Sequence, residues 1–380
     1  MSNTVLLPEL VTAPAVFAVG ESYQIMVPVK SDLLFWVTVG DSSYYDHSNG
    51  ILRSATRMHR VTVPMHVLDG AGAYTVHYRK IIERKPYFPE SEEEQAATYS
   101  FRPLPVTGPI RIYHLADTHG NFVLPAAAGR YFGEELDLLV LNGDIPDHSG
   151  DVAHFGLIYQ LCEALTGGSI PVVFSRGNHD TRGLFAEKLE DYTPTDAGRS
   201  YFTFRLGRLW GMVLDCGEDK PDGHDAYGYT NCCHTFREAQ TDFIRSVITR
   251  RAAEYEAPGV EYRLVIAHAP FTYTHEAPFD IEYPIYTAWA DLIGREIRPL
   301  ALVSGHTHTL ELNERGGALD KAGAIPVVLG SRPVVKKVDG VKQMSEYTGA
   351  ALTLSDGTLQ VEFTDDRGNA TLAGVLKSKV

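Results

Sequence analysis

The sequence has little cysteine: Cys162, Cys216, Cys232 and Cys233 are all there is in 380 residues. That excludes a small disulfide-stapled fold, and the adjacent pair Cys232-Cys233 lacks the second pair that a thiolate zinc site needs. No apolar run approaches the ~20 residues that a membrane-spanning helix requires. Nor is there a run of Lys and Arg to offset the acid, for 48 Asp and Glu against 34 Lys and Arg leave a formal charge of −14. A surface of that sign repels nucleic acid and anionic membranes. The N-terminal stretch MSNTVLLPELVTAPAVF has no basic residue ahead of its apolar part, so a cytoplasmic protein without a secretory signal is expected. The acidic run Glu90-Ser91-Glu92-Glu93-Glu94 reads as a solvated loop.

What is present divides into two rhythms, and a chain of 380 residues is long enough for two domains. Residues 1–105 alternate in short strands, YQIMVPV, LLFWVTV, RVTVPMHV and AYTVHYRKI, separated by turn residues. That spacing predicts a small β-sandwich. After the Pro-rich stretch PLPVTGP, residues 106–380 alternate strand with helix, which predicts a parallel or mixed sheet. Helices are expected over 152–165, 182–191, 235–255 and 286–297, with a return to strands after His308. The fold class is therefore α/β, preceded by an all-β unit that is a candidate for self-association into a homo-oligomer.

Within the second part, blocks of metal-ligand residues each follow an apolar, strand-like run. Asp117-Thr118-His119 follows IRIYHLA, and Gly143-Asp144-Ile145-Pro146-Asp147 follows LDLLVLN. Gly177-Asn178-His179-Asp180, His268 and Gly305-His306-Thr307-His308 follow IPVVFSR, YRLVIA and LALVS. Taken singly, each has an ordinary reading: a satisfied core histidine, a helix cap at Asp144, a surface loop at His306. Taken together in this order, they imply one site at the carboxyl ends of neighbouring strands. On an extended backbone Asp117 and His119 point to one side and can chelate one ion. Asp144 can give its second oxygen to a second ion, Asn178 offers an amide oxygen, and His268, His306 and His308 offer nitrogens. Oxygen and nitrogen donors without thiolate suit Mn, Fe or Zn, not Cu(I) or an iron–sulfur cluster. Two divalent ions bring +4, and among these ligands only Asp117 and Asp144 are anionic, so the site attracts a phosphoryl group and acidifies a bridging water. His179, beside the ions but not on them, is placed to protonate a leaving alkoxide, with Asp147 accepting its ring N–H and favouring the imidazolium.

These blocks, LADTHG, NGDIPD, RGNHD, IAHAP and SGHTH, resemble the calcineurin-like metallophosphoesterase family over about residues 110–331. The resemblance implies a four-layer α/β/β/α sandwich around two mixed sheets, and two divalent or mixed-valence ions (Mn, Fe or Zn). Metal one would be held by Asp117, His119, Asp144 and His308. Metal two would be held by Asp144 as bridge, with Asn178, His268 and His306. His179 is similar to the family's proton donor, oriented by Asp147. The layout resembles that of purple acid phosphatases, but Asp147 stands where that group has a tyrosine ligand, so no tyrosinate-to-iron colour is expected. Gly177-Asn178-His179-Asp180 with Arg182 close behind is similar to bacterial cyclic-nucleotide phosphodiesterases. Arg182 is a candidate to hold substrate phosphate bidentately, and His148, Tyr273 and His275 are candidates to line the pocket. The expected activity is hydrolysis of a small phosphomonoester or phosphodiester by a metal-bridging hydroxide. A nuclease and a catalytically silent metal-binding scaffold are the competing readings.

Overall fold

The computed structural model describes residues 6–273, 275–320 and 323–377. Its apolar runs form two large mixed sheets. In the first, Ile110–Leu115, Leu138–Asn142 and Val172–Ser175 lie side by side and parallel, with Ile112 opposite Leu138 and Leu139 opposite Val172. The long strand Val341–Ser355 pairs antiparallel with Ile110–Leu115 and leads to a hairpin, Thr358–Asp365 and Ala370–Lys377. In the second sheet the order is Phe202–Leu206, Leu209–Leu214, Tyr262–Ala267, Ala301–Ser304, Val327–Gly330 and Leu310–Asn313.

Alternation along the strands sets the layers, because successive side chains leave a strand on opposite faces. Leu138 and Val140 join a core shared with Leu264, Ile266, Ala301 and Val303 of the other sheet. Their neighbours Leu139 and Leu141 pack instead with Leu161 and Leu165 of the helix Gly156–Thr166. On the second sheet, Val265 and Ala267 pack with Phe243 and Val247 of the helix Cys233–Thr249 and with Trp289 of Tyr283–Leu292. The two sheets thus face each other across one core, with helices outside. Every residue of the central parallel strands except Arg111 is buried, as a strand covered on both faces requires.

Residues 6–105 are all-β as expected apart from one short helix, Met65–Ala71, but their boundary is not a break in hydrogen bonding. Ala15–Val19 pairs parallel with Val172–Ser175, Phe17 opposite Val172, and carries Ser22–Pro28 and Met58–Pro64 onto the same sheet. Leu33–Val39, Ala73–Arg84 and Gln95–Ser100 form a separate sheet whose Phe35, Val37, Val76 and Tyr78 share the core with Ile25, Val61 and Val63. One half of the expected sandwich is therefore an extension of the α/β sheet. Alternation reveals strands; it does not say which edge they will join.

One further expectation is corrected. The helix expected over 182–191 is a loop with short turns, Ala186–Lys188 and Leu189–Tyr192. Gly183 sits at φ +119, where an added Cβ would lie 2.5 Å from the Gly150 nitrogen, so a helix cannot pass through it. The helix Val123–Gly129 had no sequence reading, its one Pro and terminal Gly having masked it. All four cysteines are free, and Cys162, Cys216 and Cys233 are buried. Among the described residues no helix is long and apolar enough to cross a membrane.

Candidate metal centre

Three of the five blocks leave the ends of their strands in a tight, left-handed backbone. Asp117 (φ 53°), His119 (φ 44°), Asp144 (φ 53°), His306 (φ 67°) and His308 (φ 55°) all occupy the region that glycine favours. Asp and His tolerate it best among other residues, but each still costs ~1 kcal/mol or more, and such strain survives only where the surroundings enforce it. The extended backbone expected for Asp117-Thr118-His119 is therefore replaced by a turn. It is stitched to the next loop by Asp117 N–H to the Gly143 carbonyl (3.1 Å) and His119 N–H to the Asp144 carbonyl (3.0 Å). Asn178-His179-Asp180 likewise curls into a short 3₁₀ turn. Glycine before three of the blocks, at Gly143, Gly177 and Gly305, lets the loops meet: a Cβ on Gly305 would lie 2.6 Å from Asp117 Oδ2.

These turns bring the expected ligands together. Asp117, His119 and His308 present donor atoms within 4.8 Å of one another, and so do Asp117, Asp144 and His268. His268 Nε2 is 3.3 Å from Asp144 Oδ2 and 3.7 Å from Asp117 Oδ1, which in turn is 3.3 Å from His308 Nε2. His306 Nδ1 is 2.9 Å from Asn178 Oδ1. Three buried atoms, Asp117 Oδ1, His119 Nδ1 and His268 Nε2, have no hydrogen-bond partner. Buried polar atoms are normally satisfied, so atoms left bare at the focus of converging ligands fit a cation that takes them as donors. The surrounding bonds aim them. The His268 ring is fixed by Nδ1–H to the Asn142 carbonyl (2.7 Å), leaving Nε2 toward the carboxylates. Ser331 Oγ and the His306 N–H both donate to Asp117 Oδ2.

Charge tells the same story. Burial favours a neutral Asp117, but the adjacent His268 charge and the nearby His308 ring outweigh it and hold the carboxyl down at about 2. Burial opposes a charged His268, yet Asp144 and Asp117 hold its proton up to about 10. With only protons available, the histidine supplies the positive charge that two buried carboxylates demand. Burial pushes His119 down and His306 down to about 4, so both are neutral bases with lone pairs to give.

His179 lies beside the cluster, its N–H bonded to Asp144 Oδ1 at 2.8 Å. The expected partner of its ring is corrected: Nδ1 donates to the main-chain carbonyl of Asp147 at 2.8 Å, while that residue's carboxylate is 3.9 Å away. Arg182 Nη1 lies 3.0 Å from His179 Nε2, and because arginine can only donate, Nε2 accepts. Arg182 also has its forked edge on buried Glu218, with Nε and Nη2 each at 2.8 Å from a carboxylate oxygen. The guanidinium face expected for substrate phosphate is thus already filled, and Arg182 steadies His179. Tyr273 and His275 do line a cavity beside His306, whereas exposed His148 packs on His154, ring centroids 4.7 Å apart.

Sequence reasoning missed Glu218 and Ser331, and gave Asp180 no role. Asp180 Oδ2 accepts from Gly177 N–H (2.7 Å) and Asp144 N–H (3.1 Å), tying two ligand loops together; burial and the Asp144 charge push its carboxyl up to about 7. Glu218 had a signal: it follows LWGMVLD, another apolar run ending in acid.

Comparison with known proteins supplies the remaining finding. The family description "Calcineurin-like phosphoesterase" matches residues 110–310. No curated protein matches the sequence. The purple acid phosphatase PPD1 from yellow lupin (Lupinus luteus) seeds is similar in structure, with TM-score 0.56, 11% identity, and coverage of 96% of this chain and 74% of that one. A structure of PhoD is similar at TM-score 0.52 and 11% identity, covering 97% of this chain and 90% of that one. At such identities the likeness speaks for fold, and it extends over the N-terminal strands as well.

Proposed function

The chain belongs to the calcineurin-like phosphoesterase family and is a metal-dependent phosphoesterase, and on that premise we propose that it hydrolyses a small phosphomonoester or phosphodiester with two bound cations. The observation that carries the proposal is the set of bare buried atoms, Asp117 Oδ1, His119 Nδ1 and His268 Nε2, at the meeting of two donor clusters. In this reading Asp117, His119, Asp144 and His308 hold one ion, and Asp144, Asn178, His268 and His306 hold the other. When bound, Mn, Fe or Zn ions supply an acidified water as nucleophile and a Lewis-acid clamp on the phosphoryl oxygens.

The chain's own residues then supply the proton and the order. His179 is the general acid for the leaving oxygen. Its Nδ1–H is committed to the Asp147 carbonyl, so the transferable proton is carried on Nε2, the atom that now accepts from Arg182. Loading that nitrogen requires Arg182 to release it while Glu218 keeps the guanidinium in place. Asp147 holds the ring through its main chain, with its exposed carboxylate also 3.5 Å from His119 Nδ1.

The test is turnover of p-nitrophenyl phosphate and bis(p-nitrophenyl) phosphate by metal-stripped chain refilled with Mn²⁺, Zn²⁺ or Fe²⁺. Metal-dependent hydrolysis is expected, and the preferred ester separates a monoesterase from a diesterase. Two bound ions with neither ester hydrolysed would point to the silent scaffold. The acidic surface stands against a nuclease.

A further inference from the structure

A cavity of about 80 Å³ opens beside the cluster, and His306 belongs to both. Its walls are aromatic: Phe271, Tyr273, Phe279 and Tyr286. They are backed by interlocked rings, with Phe271 at 5.6 Å and Tyr286 at 5.4 Å from Trp289, so the cavity is preformed. Among the described residues neither Lys nor Arg lines it, whereas Glu218, Asp219 and Asp280 do. The neighbouring cations are occupied behind these walls. Lys220 Nζ bonds Asp219 at 2.7 Å and stands 4.8 Å from the Phe279 ring centroid. Arg237 bonds Glu282 at 2.9 Å and lies 5.8 Å from the Tyr286 ring centroid.

We propose that this cavity is the subsite for the alcohol portion of the phosphoester, and that it takes a compact, uncharged ring. The subsite role rests on the hydrolase reading of the cluster; the preference for an uncharged ring rests on the cavity alone. Size selects the ring. At ~10–15 Å³ for each water-sized group, a cavity of 80 Å³ holds roughly five to eight such groups within its walls, enough for one six-membered ring. Charge selects neutrality: a second phosphate or a carboxylate would find no Lys or Arg among the described lining residues, and with Glu218 and Asp219 already paired to Arg182 and Lys220, Asp280 alone is left for a cation. The aromatic walls favour a flat ring over an aliphatic chain.

The experiment pairs binding with turnover. Binding of phenol to the full chain is followed by saturation-transfer NMR, and hydrolysis of phenyl phosphate is compared with that of methyl phosphate. Two variants reshape the cavity. Ala290→Leu fills it, and Phe279→Ala removes a wall residue that is 41% exposed and so leaves the core untouched. Phenol is expected to bind the parent chain and to weaken by about tenfold in either variant, which is the loss of ~1.4 kcal/mol of ring contact. KM for phenyl phosphate should rise about tenfold, with methyl phosphate unchanged within about twofold. Phenol that ignores both substitutions, or equal losses for the two esters, overturns the subsite. Phenol binding that responds to the variants in a chain hydrolysing neither ester keeps the ring site and removes the hydrolase reading.

Discussion

Adding one methyl group at Gly177 tests whether the ligand loops are as closely fitted as the geometry requires. A Cβ there would lie 2.2 Å from Asp144 Oδ1, 2.5 Å from the Asp144 nitrogen and 3.0 Å from its Cγ. Ordinary contact begins near 3.4 Å, so the carboxylate oxygen must retreat by about 1 Å, and the main-chain nitrogen has no flexible way to yield. Retreat also strains the bond that Asp144 Oδ1 accepts from the His179 N–H at 2.8 Å. Overpacking of this kind costs ~1–3 kcal/mol, and a weakened bond to a charged acceptor adds ~1–2 kcal/mol. Gly177→Ala should therefore lose ~2–5 kcal/mol in urea denaturation of the metal-stripped chain, and should fail to hold two ions by elemental analysis. Gly156→Ala is the control: nothing lies within 4 Å of its added Cβ and φ is −57°, so it should be neutral or stabilise by ~0.4–1 kcal/mol. A Gly177→Ala chain with the parent midpoint and a full metal complement would refute the close fit of these loops and the bridging role assigned to Asp144.

His179→Ala should lower turnover by ~10²–10⁴ for esters with poor leaving groups while leaving metal content intact; an unchanged rate on an alkyl phosphate removes the general-acid role. Glu218→Gln keeps the shape but sets an NH₂ against Arg182, so thermal or urea denaturation should show a loss of ~1.5–3 kcal/mol, and an unchanged midpoint would mean that this buried pair holds nothing together. Metal binding should tighten as pH rises. Without cations the two carboxylates hold the His268 proton up to about 10, so below that pH a bound ion must displace it. For one displaced proton, affinity should rise roughly tenfold per pH unit, and calorimetry in buffers of different ionisation enthalpy should count its release; affinity flat from pH 6 to 9 would contradict this.

Much of the site was legible because its chemistry is local. Asp117, His119, Asp144, Asn178, His268, His306 and His308 stand at strand ends that hydrophobic runs mark without any structure, and the fold brings those ends together. Their backbone was not legible. An Asp-x-His spacing suggests an extended chain, and only the pairing of Asp117 with Gly143 and of His119 with Asp144 shows why a left-handed turn is enforced. Contacts distant in sequence were equally hidden. Ser331 reaches Asp117 across 214 positions, and Arg182 finds Glu218 after 36. The joining of the N-terminal strands to the α/β sheet was hidden for a related reason: Phe17 pairs with Val172, a partner that alternation cannot name. Their place just after ligand blocks made Tyr273, His275 and His148 all candidates for the pocket, but only the folded loops show that Tyr273 and His275 line it beside His306 and that His148 does not.

The most direct test of the two-ion site is an anomalous difference map from crystals of the chain soaked in Mn²⁺. Two peaks are predicted, one among Asp117, His119, Asp144 and His308, the other among Asp144, Asn178, His268 and His306. A third group, His119, Asp147 and His179, also has donor atoms within 4.8 Å of one another. A peak there in place of either predicted one would make His179 a ligand, and would contradict both the two-ion assignment and the proton donor built on it.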